Sequence, residues 1–549
     1  MTDSLNLSIQ ESVRKNWTHS ALSDFNGQTL KFSDVAERIV ILHNLFREIG
    51  IKPGDRIALC AKNSSNWATS FLAIIGYGAV AVPLLHDFHA DTIRHLIGHC
   101  EARLLFSDKN TAVAIDAESL KGLEGVISTD DFSALMSKKK LRLGDAEKVA
   151  DKSFDKKYSS GFSPDDFTLA EDNPGELCVI NYTSGSTGFS KGVMLNRISL
   201  MSNLKFAVEN INYLYPDDGI VSMLPLAHMF GLSIEFLFPF LKGCHITFLG
   251  KVPAPTVILK AFATIRPKLV IAVPLILEKI VKTKVMLSLK KPLIKVLLAI
   301  PGLRNTVYSG VRKRLIEAFG GNLIQMIVGG AALNHEVEKL MMRIKFPLTV
   351  GYGMTECGPL IAYAPWDRRP LGSCGRIVDR MEMRIDSPDP ENKAGELWVR
   401  GSNIMDGYYK AKDMTDSVFR DGWMNTGDLC QVDKEGYIYI RGRNKSMILG
   451  PSGQNIYPEE IEARLNSFPL VAESVIVERD GRLVALIYPD PEEIKKNGYS
   501  VKTVNEILSK DLKTLNSSLA SYEKVASFEV MDSEFEKTPK RSIKRFLYS

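Results

Sequence analysis

The chain has 549 residues, 45% of them hydrophobic and 24% charged, with a formal net charge of +5. A chain of that size buries sizeable cores and amounts to roughly three or four domain-sized units, which excludes a disordered polymer. The charge is too nearly balanced to argue for nucleic acid, and neither zinc-type cysteine spacing nor an RNA-binding signature is present.

Met1 to Arg14 carries Asp3 and Glu11 and no basic start ahead of an apolar core, so no secretory signal is read and a cytoplasmic location is expected. The seven cysteines are scattered and odd in number, as expected of reduced core thiols. Arg56–Cys60, Ala79–Pro83 and Leu104–Phe106 are β-rich runs that alternate with helix-length segments, the first being Asn63 to Gly76. That alternation predicts an α/β fold with a doubly wound sheet. Ser64–Leu85 and Gly219–Leu241 are long and weakly charged. Internal Gly, Pro and polar residues interrupt both, so each reads as a buried helix running into a strand, not a membrane span. Thr129 to Glu176, rich in Lys, Asp and Ser, reads as a surface excursion without chemistry.

Tyr182-Thr183-Ser184-Gly185-Ser186-Thr187-Gly188-Phe189-Ser190-Lys191-Gly192-Val193 follows, with hydroxyls, glycines and one lysine in a single stretch. Gly185, Gly188 and Gly192 let backbone N–H groups approach an anion, Thr183, Ser184, Ser186 and Thr187 add hydroxyl donors, and Lys191 adds a point charge. The stretch is a phosphate cradle in chemical outline, although its order fails the G-x-x-x-x-G-K-[ST] loop of ordinary ATPases. From Lys279 to Arg314, basic and apolar residues interleave at roughly helical spacing. That pattern suits either an interfacial helix on anionic lipid or an amphipathic helix packed on the body.

Three further motifs come in order: Gly351-Tyr352-Gly353-Met354-Thr355-Glu356, Thr426-Gly427-Asp428, and Arg441-Gly442-Arg443-Asn444-Lys445 with Asn455-Ile456-Tyr457-Pro458-Glu459-Glu460-Ile461-Glu462. With the cradle they resemble the adenylate-forming superfamily of acyl-CoA synthetases, adenylation domains and luciferases. Cys357-Gly358-Pro359-Leu360 after the first motif most resembles bacterial long-chain fatty-acid CoA ligases. The resemblance implies a large N-terminal domain of doubly wound sheets over 1–442 and a small mobile α+β lid over 443–549, hinged near Lys445. It implies fatty acid, ATP and CoA as substrates, with Mg2+ as cofactor; a carrier-protein phosphopantetheine is the alternative acceptor. No carrier segment follows Ser549, which favours free CoA.

The resemblance also implies residue roles. Lys191, Thr183, Ser184 and Thr187 suit the β- and γ-phosphates, within a nucleotide loop that includes Gly185, Ser186 and Gly188. Glu356, beside Thr355, suits Mg2+ together with Thr187. Gly330 and Ala331 permit a planar base to lie on backbone, with Tyr352 and Gly353 opposite. Asp428 suits two ribose hydroxyls, complemented by Arg443. His228, Phe230 and Gly358 fall at the acyl pocket, expected to run between the Phe230–Phe240 segment, with Phe236, Phe238 and Phe240 extending its wall, and the residues around Gly358 to Leu360.

One position departs from the family. Many members carry, after Lys-Thr-Pro, a lysine that bridges the substrate carboxylate and the α-phosphate, and here that position falls on Ser542. Loss of such an electrostatic contact costs about 2.7–4 kcal/mol, so adenylation is expected to be weakened unless Lys540 or Lys544 substitutes. A catalytically impaired acyl- and nucleotide-binding protein is therefore the alternative of another class.

Overall fold

A computed structural model describes residues 2–138, 143–184, 190–250, 255–286, 289, 292–300, 303–449, 455–479, 481–520, 523–538 and 543–548. Its largest sheet has eight strands, ordered Gly407–Tyr408, Ser190–Asn196, Leu177–Ser184, Val80–Pro83, Arg56–Cys60, Leu104–Ser107, Gly125–Ser128 and Ala134–Ser137. Leu177–Ser184 and the next four strands in that order run parallel. Their near-continuous apolar runs reflect burial on both faces. Ile57 and Leu59 enter one core, and Ala58 and Cys60 enter the core on the opposite face. Phe32–Glu48 and Ser65–Tyr77 cover the first face and Ala90–Cys100 the second, as the doubly wound expectation required.

The helix expected over Asn63–Gly76 spans Ser65–Tyr77. Ser64 Oγ accepts the Trp67 N–H at 3.0 Å and so supplies the N-cap, and Gly78 at φ 89° ends the helix in the left-handed conformation.

A four-stranded sheet follows in the order Gly219–Ser222, His245–Phe248, Ser20–Asp24, Thr29–Lys31. A parallel three-stranded sheet, Leu269–Ala272, Gln325–Val328 and Leu348–Val350, encloses a further core. A five-stranded sheet drawn from Met381 to Arg443 closes with the strand Ile438–Arg443. Beyond it, two hydrophobic clusters are drawn only from residues after Ser446, around the three-stranded sheet Val471–Arg479, Arg482–Pro489 and Val525–Val530. The small domain thus has its own core.

Two expectations are corrected. Thr129–Glu176 is not merely a surface excursion: it holds the helix Leu143–Lys157, whose Leu143, Ala146, Ala150 and Phe154 lie on one face and are buried. That helix packs on Phe32–Glu48, and Phe167 further along is fully buried. Gly219–Leu241 opens with a strand, and its helical part, Gly231–Leu241, comes afterwards. The basic and apolar segment divides. Within it Val285 joins the core and Val296 is 59% exposed; just outside it Leu315 joins the core and Leu275 is 62% exposed. Lys290 and Lys291, and the side chains of Lys282, Lys284 and Lys295, lie outside the described residues. No helix among the described residues is long and apolar enough to cross a membrane.

Candidate functional site

The two domains enclose a cavity of about 2190 Å³. Thr183, Lys191, His228, Phe230, Gly330, Ala331, Tyr352, Gly353, Thr355, Glu356, Asp428 and Arg443 all line it, although they come from three sheets and the loops between. Gly185, Ser186, Thr187, Gly188, Lys540 and Ser542 lie outside the described residues, as do the side chains of Ser184 and Lys445. The backbone of Lys445 forms part of the single turn Asn444–Ser446, between the last strand of the large domain and the small domain.

Lys191 and Thr183 are direct register partners on the antiparallel strands Ser190–Asn196 and Leu177–Ser184. Pairing across the hairpin places the ammonium and the hydroxyl at one end of the cavity. Asn181, fully buried on the same strand, donates to the Ala227 carbonyl at 2.8 Å and so ties the strand to the loop that carries His228. The same loop is held from behind. Asn63 donates to the Leu224 carbonyl at 2.7 Å, and Glu235 accepts the N–H groups of Met223 and Leu224 at 3.0 and 2.9 Å and the Ser222 hydroxyl at 2.9 Å. Glu235 is wholly buried, and desolvation pushes its carboxyl up to about 8 against those three donors.

Tyr352, Gly353, Thr355 and Glu356 follow the strand Leu348–Val350. A Cβ at Gly353 would lie 2.1 Å from the Pro359 carbonyl oxygen, so only glycine allows the chain to double back here. Asn203 fixes the return by donating to the Cys357 carbonyl at 3.0 Å and accepting the Leu360 N–H at 2.8 Å. Glu356 accepts the Tyr408 hydroxyl at 3.0 Å, and the Tyr408 ring lies 4.8 Å beneath the Lys191 ammonium.

Asp428 is buried between two partners. The Tyr352 hydroxyl donates to its Oδ2 at 2.6 Å, and Arg443 Nε lies 3.2 Å from its Oδ1. Burial raises the Asp428 carboxyl, and Arg443 opposes that shift. Tyr352 is pushed far above the ordinary phenol range by burial and then by the neighbouring carboxylate, so it stays a donor.

The apolar end differs from the expected wall. Phe230 lines the cavity, but Phe236, Phe238 and Phe240 are fully buried, with Phe236 and Phe240 packed ring on ring at 6.0 Å. Gly358 sits behind the lining, where its carbonyl accepts the Ser233 hydroxyl at 3.0 Å. The apolar lining comes instead from Phe206, Ile211, Ile234, Leu360 and Tyr363. Leu360 was expected here and Ile234 lies within the expected Phe230–Phe240 run, whereas sequence reasoning missed Phe206, Ile211 and Tyr363, as it missed Asn181, Asn203, Glu235 and Tyr408. Hydroxyl, amide and aromatic residues without a glycine motif carry no local signal, because their positions follow from strand pairing and helix packing.

Comparison with known proteins bears on the family and the fold. The profile of the family described as AMP-binding enzyme matches residues 9–409. A long-chain acyl-CoA synthetase of Arabidopsis thaliana is 28% identical over 535 residues, covering 90% of this chain and 79% of the relative. A long-chain-fatty-acid–CoA ligase of Mycobacterium bovis is 26% identical over 540 residues, covering 90% and 86%. The ATP-bound structure of MatB from Rhodopseudomonas palustris superposes with a TM-score of 0.77 at 23% identity, covering 100% of this chain and 98% of that one, a likeness of fold. With a family match that spans most of its length, this chain belongs to the AMP-binding enzyme family.

Proposed function

We propose that the protein is an ATP- and Mg2+-dependent ligase that joins medium- to long-chain fatty acids to CoA through an acyl-adenylate. The observation that carries this reading is a single cavity in which the apolar wall of Phe206, Ile211, Phe230 and Ile234 meets Lys191, Glu356 and Asp428. Its long-chain relatives support the acyl class. A carboxylate is a poor acylating agent because oxide would be the leaving group. Attack of the carboxylate oxygen on the α-phosphorus of ATP expels pyrophosphate; a CoA sulfur then attacks the acyl carbonyl and AMP departs with its electron pair.

In this reading Lys191 and Thr183 hold the β- and γ-phosphates, with Ser184 and Thr187 of the cradle. Asp428 and Arg443 hold the ribose, the base lies between the Gly330–Ala331 backbone and Tyr352, and His228 stands beside the acyl carboxylate. Among the described residues no group of three or more His, Cys, Asp or Glu side chains can hold a metal ion. One carboxylate, Glu356, suits Mg2+, which keeps several waters and binds substrate phosphates instead of an all-protein cage. When bound, it would neutralise charge on the leaving pyrophosphate.

We place the domain boundary at Arg443, with Lys445 as the hinge. Ser542 cannot supply positive charge to the adenylation step. Of the cations that follow it, Arg545 is paired with the buried Glu462, whereas Lys544, also on the cavity wall, is paired with Glu536 at 3.2 Å and is the candidate substitute. We also assign the exposed part of the 279–314 segment to contact with anionic lipid. Free CoA is the proposed acceptor, and a carrier protein is the alternative that its omission from the assay would reveal.

The test is fatty-acid-dependent pyrophosphate release with ATP, Mg2+ and CoA over short to long chains, on the parent and on Ser542→Lys. Apparent affinity should rise by roughly fourfold per added methylene until the apolar wall is filled. A Lys variant faster by about a hundredfold would mean that the cation is missing, and similar rates would assign its place to a neighbouring lysine. Silence of both proteins on every chain length would sink the fatty-acid reading.

A further inference from the structure

Tyr408 belongs to none of the motifs of the cradle, the metal carboxylate or the ribose site, yet it touches two of their groups. It lies on the two-residue strand Gly407–Tyr408, which pairs with the far arm of the phosphate hairpin in the register Gly407 to Met194 and Tyr408 to Val193. The Tyr409 N–H extends the ladder to the Gly192 carbonyl at 2.7 Å. The Tyr408 N–H donates to Thr415 Oγ1 at 2.9 Å, and the Met405 N–H donates to the Glu356 carbonyl at 2.9 Å. Backbone bonds on both sides therefore fix where the phenol stands.

The side chain presents one face to the Lys191 ammonium, 4.8 Å from the ring centre, and its hydroxyl to Glu356 Oε1 at 3.0 Å. A tyrosine side chain offers an uncharged ring and a hydroxyl donor. A flexible ammonium and a carboxylate at one end of a low-dielectric cavity attract strongly. Collapsed into an ion pair, each would be spent on the other. Among the described residues no such pair forms, and the ring occupies the position of contact with the cation.

We propose that Tyr408 is a positioning residue that holds the Lys191 ammonium and the Glu356 carboxylate apart, each aimed into the cavity, until a nucleotide phosphate and its divalent cation take them. This rests on the assignment of Lys191 to phosphate and Glu356 to Mg2+. The neutral phenol satisfies both charged groups weakly enough that the substrate displaces it from neither at great cost. A carboxylate or an amine at the same position would bind one group and repel the other.

Calorimetric titration of ATP into the full chain, with and without Mg2+, tests the proposal on Tyr408→Phe and Tyr408→Leu. Y408F keeps the ring and loses the hydroxyl. Its ATP affinity without Mg2+ should match the parent's, while the Mg2+ concentration giving half of the metal-dependent gain in affinity rises roughly tenfold, the scale of one hydrogen bond to a charged group. Y408L loses the ring as well, and its metal-free ATP affinity should fall by about two- to fivefold. An unshifted Mg2+ response in Y408F would overturn the proposal, as would equal losses in both variants irrespective of Mg2+, which a merely structural residue would give. Should Y408L unfold, Y408F decides alone. Lys191→Ala and Glu356→Gln run alongside: if neither alters the response to ATP or Mg2+, the parent assignments fall and this one with them.

Discussion

Glu235 illustrates how a single buried charge-bearing group serves the site and sets a condition on stability. Its carboxyl holds the Ser222–Leu224 backbone that leads to His228, and burial lifts it from an ordinary value of 4.5 to about 8. Between those values the folded protein keeps a proton that the unfolded chain has released. Folding therefore takes up a proton, and this group's contribution to stability falls as the pH rises from about 5 towards 8. Glu235→Gln should lower stability by about 1–3 kcal/mol near pH 5, because its amide nitrogen meets backbone donors, and the deficit should shrink as the pH rises towards 8. It should also flatten the decline of the melting temperature across that interval, and parallel curves for the two proteins would show that Glu235 does not titrate there. At this scale the legible residues were those written into short glycine motifs: Tyr352, Glu356 and Asp428 each stand beside a turn that declares them. Glu235 and Tyr408 were not legible, since one is an isolated acid in an apolar run and the other owes its place to a two-residue strand.

At the scale of elements, Leu143–Lys157 shows how a pattern is hidden by its neighbours. Its buried positions 143, 146, 150 and 154 are spaced for one helical face, but four lysines and aspartates between them make the segment read as a solvated excursion. Phe154 packs against Tyr158 and Phe162 with ring centroids 4.9 and 5.3 Å away, and the helix lies on Phe32–Glu48. Phe154→Ala should therefore cost about 3–5 kcal/mol, as a cavity in the core does. Lys152→Ala on the exposed face should change stability by less than about 0.5 kcal/mol. Comparable urea midpoints for the two variants would remove this helix from the core. The strands of the eight-stranded sheet were legible for the opposite reason, because burial on both faces leaves an uninterrupted apolar run.

At the scale of the whole molecule, the cavity exists only because the five-stranded sheet and the small domain close over the ends of the parallel strands. Outside it, the exposed Leu275 lies just before the 279–314 segment and the exposed Val296 within it, alongside Lys279, Arg304, Arg312 and Lys313. Each basic side chain near an anionic surface is worth about 1 kcal/mol, so the protein should sediment with phosphatidylserine-containing vesicles at low salt and not with neutral ones. The double substitution of Leu275 and Val296 by Asp should abolish that binding and leave pyrophosphate release with a short, soluble acid unchanged. A parent that stays in the supernatant with anionic vesicles would refute the lipid contact.

The sequence by itself determined the fold class, the strands' apolar runs and the motifs whose charged residues meet at the cavity, because periodicity and glycine-bounded motifs are local and survive without knowledge of the fold. It could not determine the acyl wall. Phenylalanines on a helix look alike whether they face a cavity or a core, and only packing sent Phe236, Phe238 and Phe240 inward while Phe206, Ile211 and Tyr363 met the open space. Nor could it place Tyr408 between Lys191 and Glu356, because that contact depends on the edge pairing of two strands far apart in the chain, a choice made by tertiary hydrogen bonding.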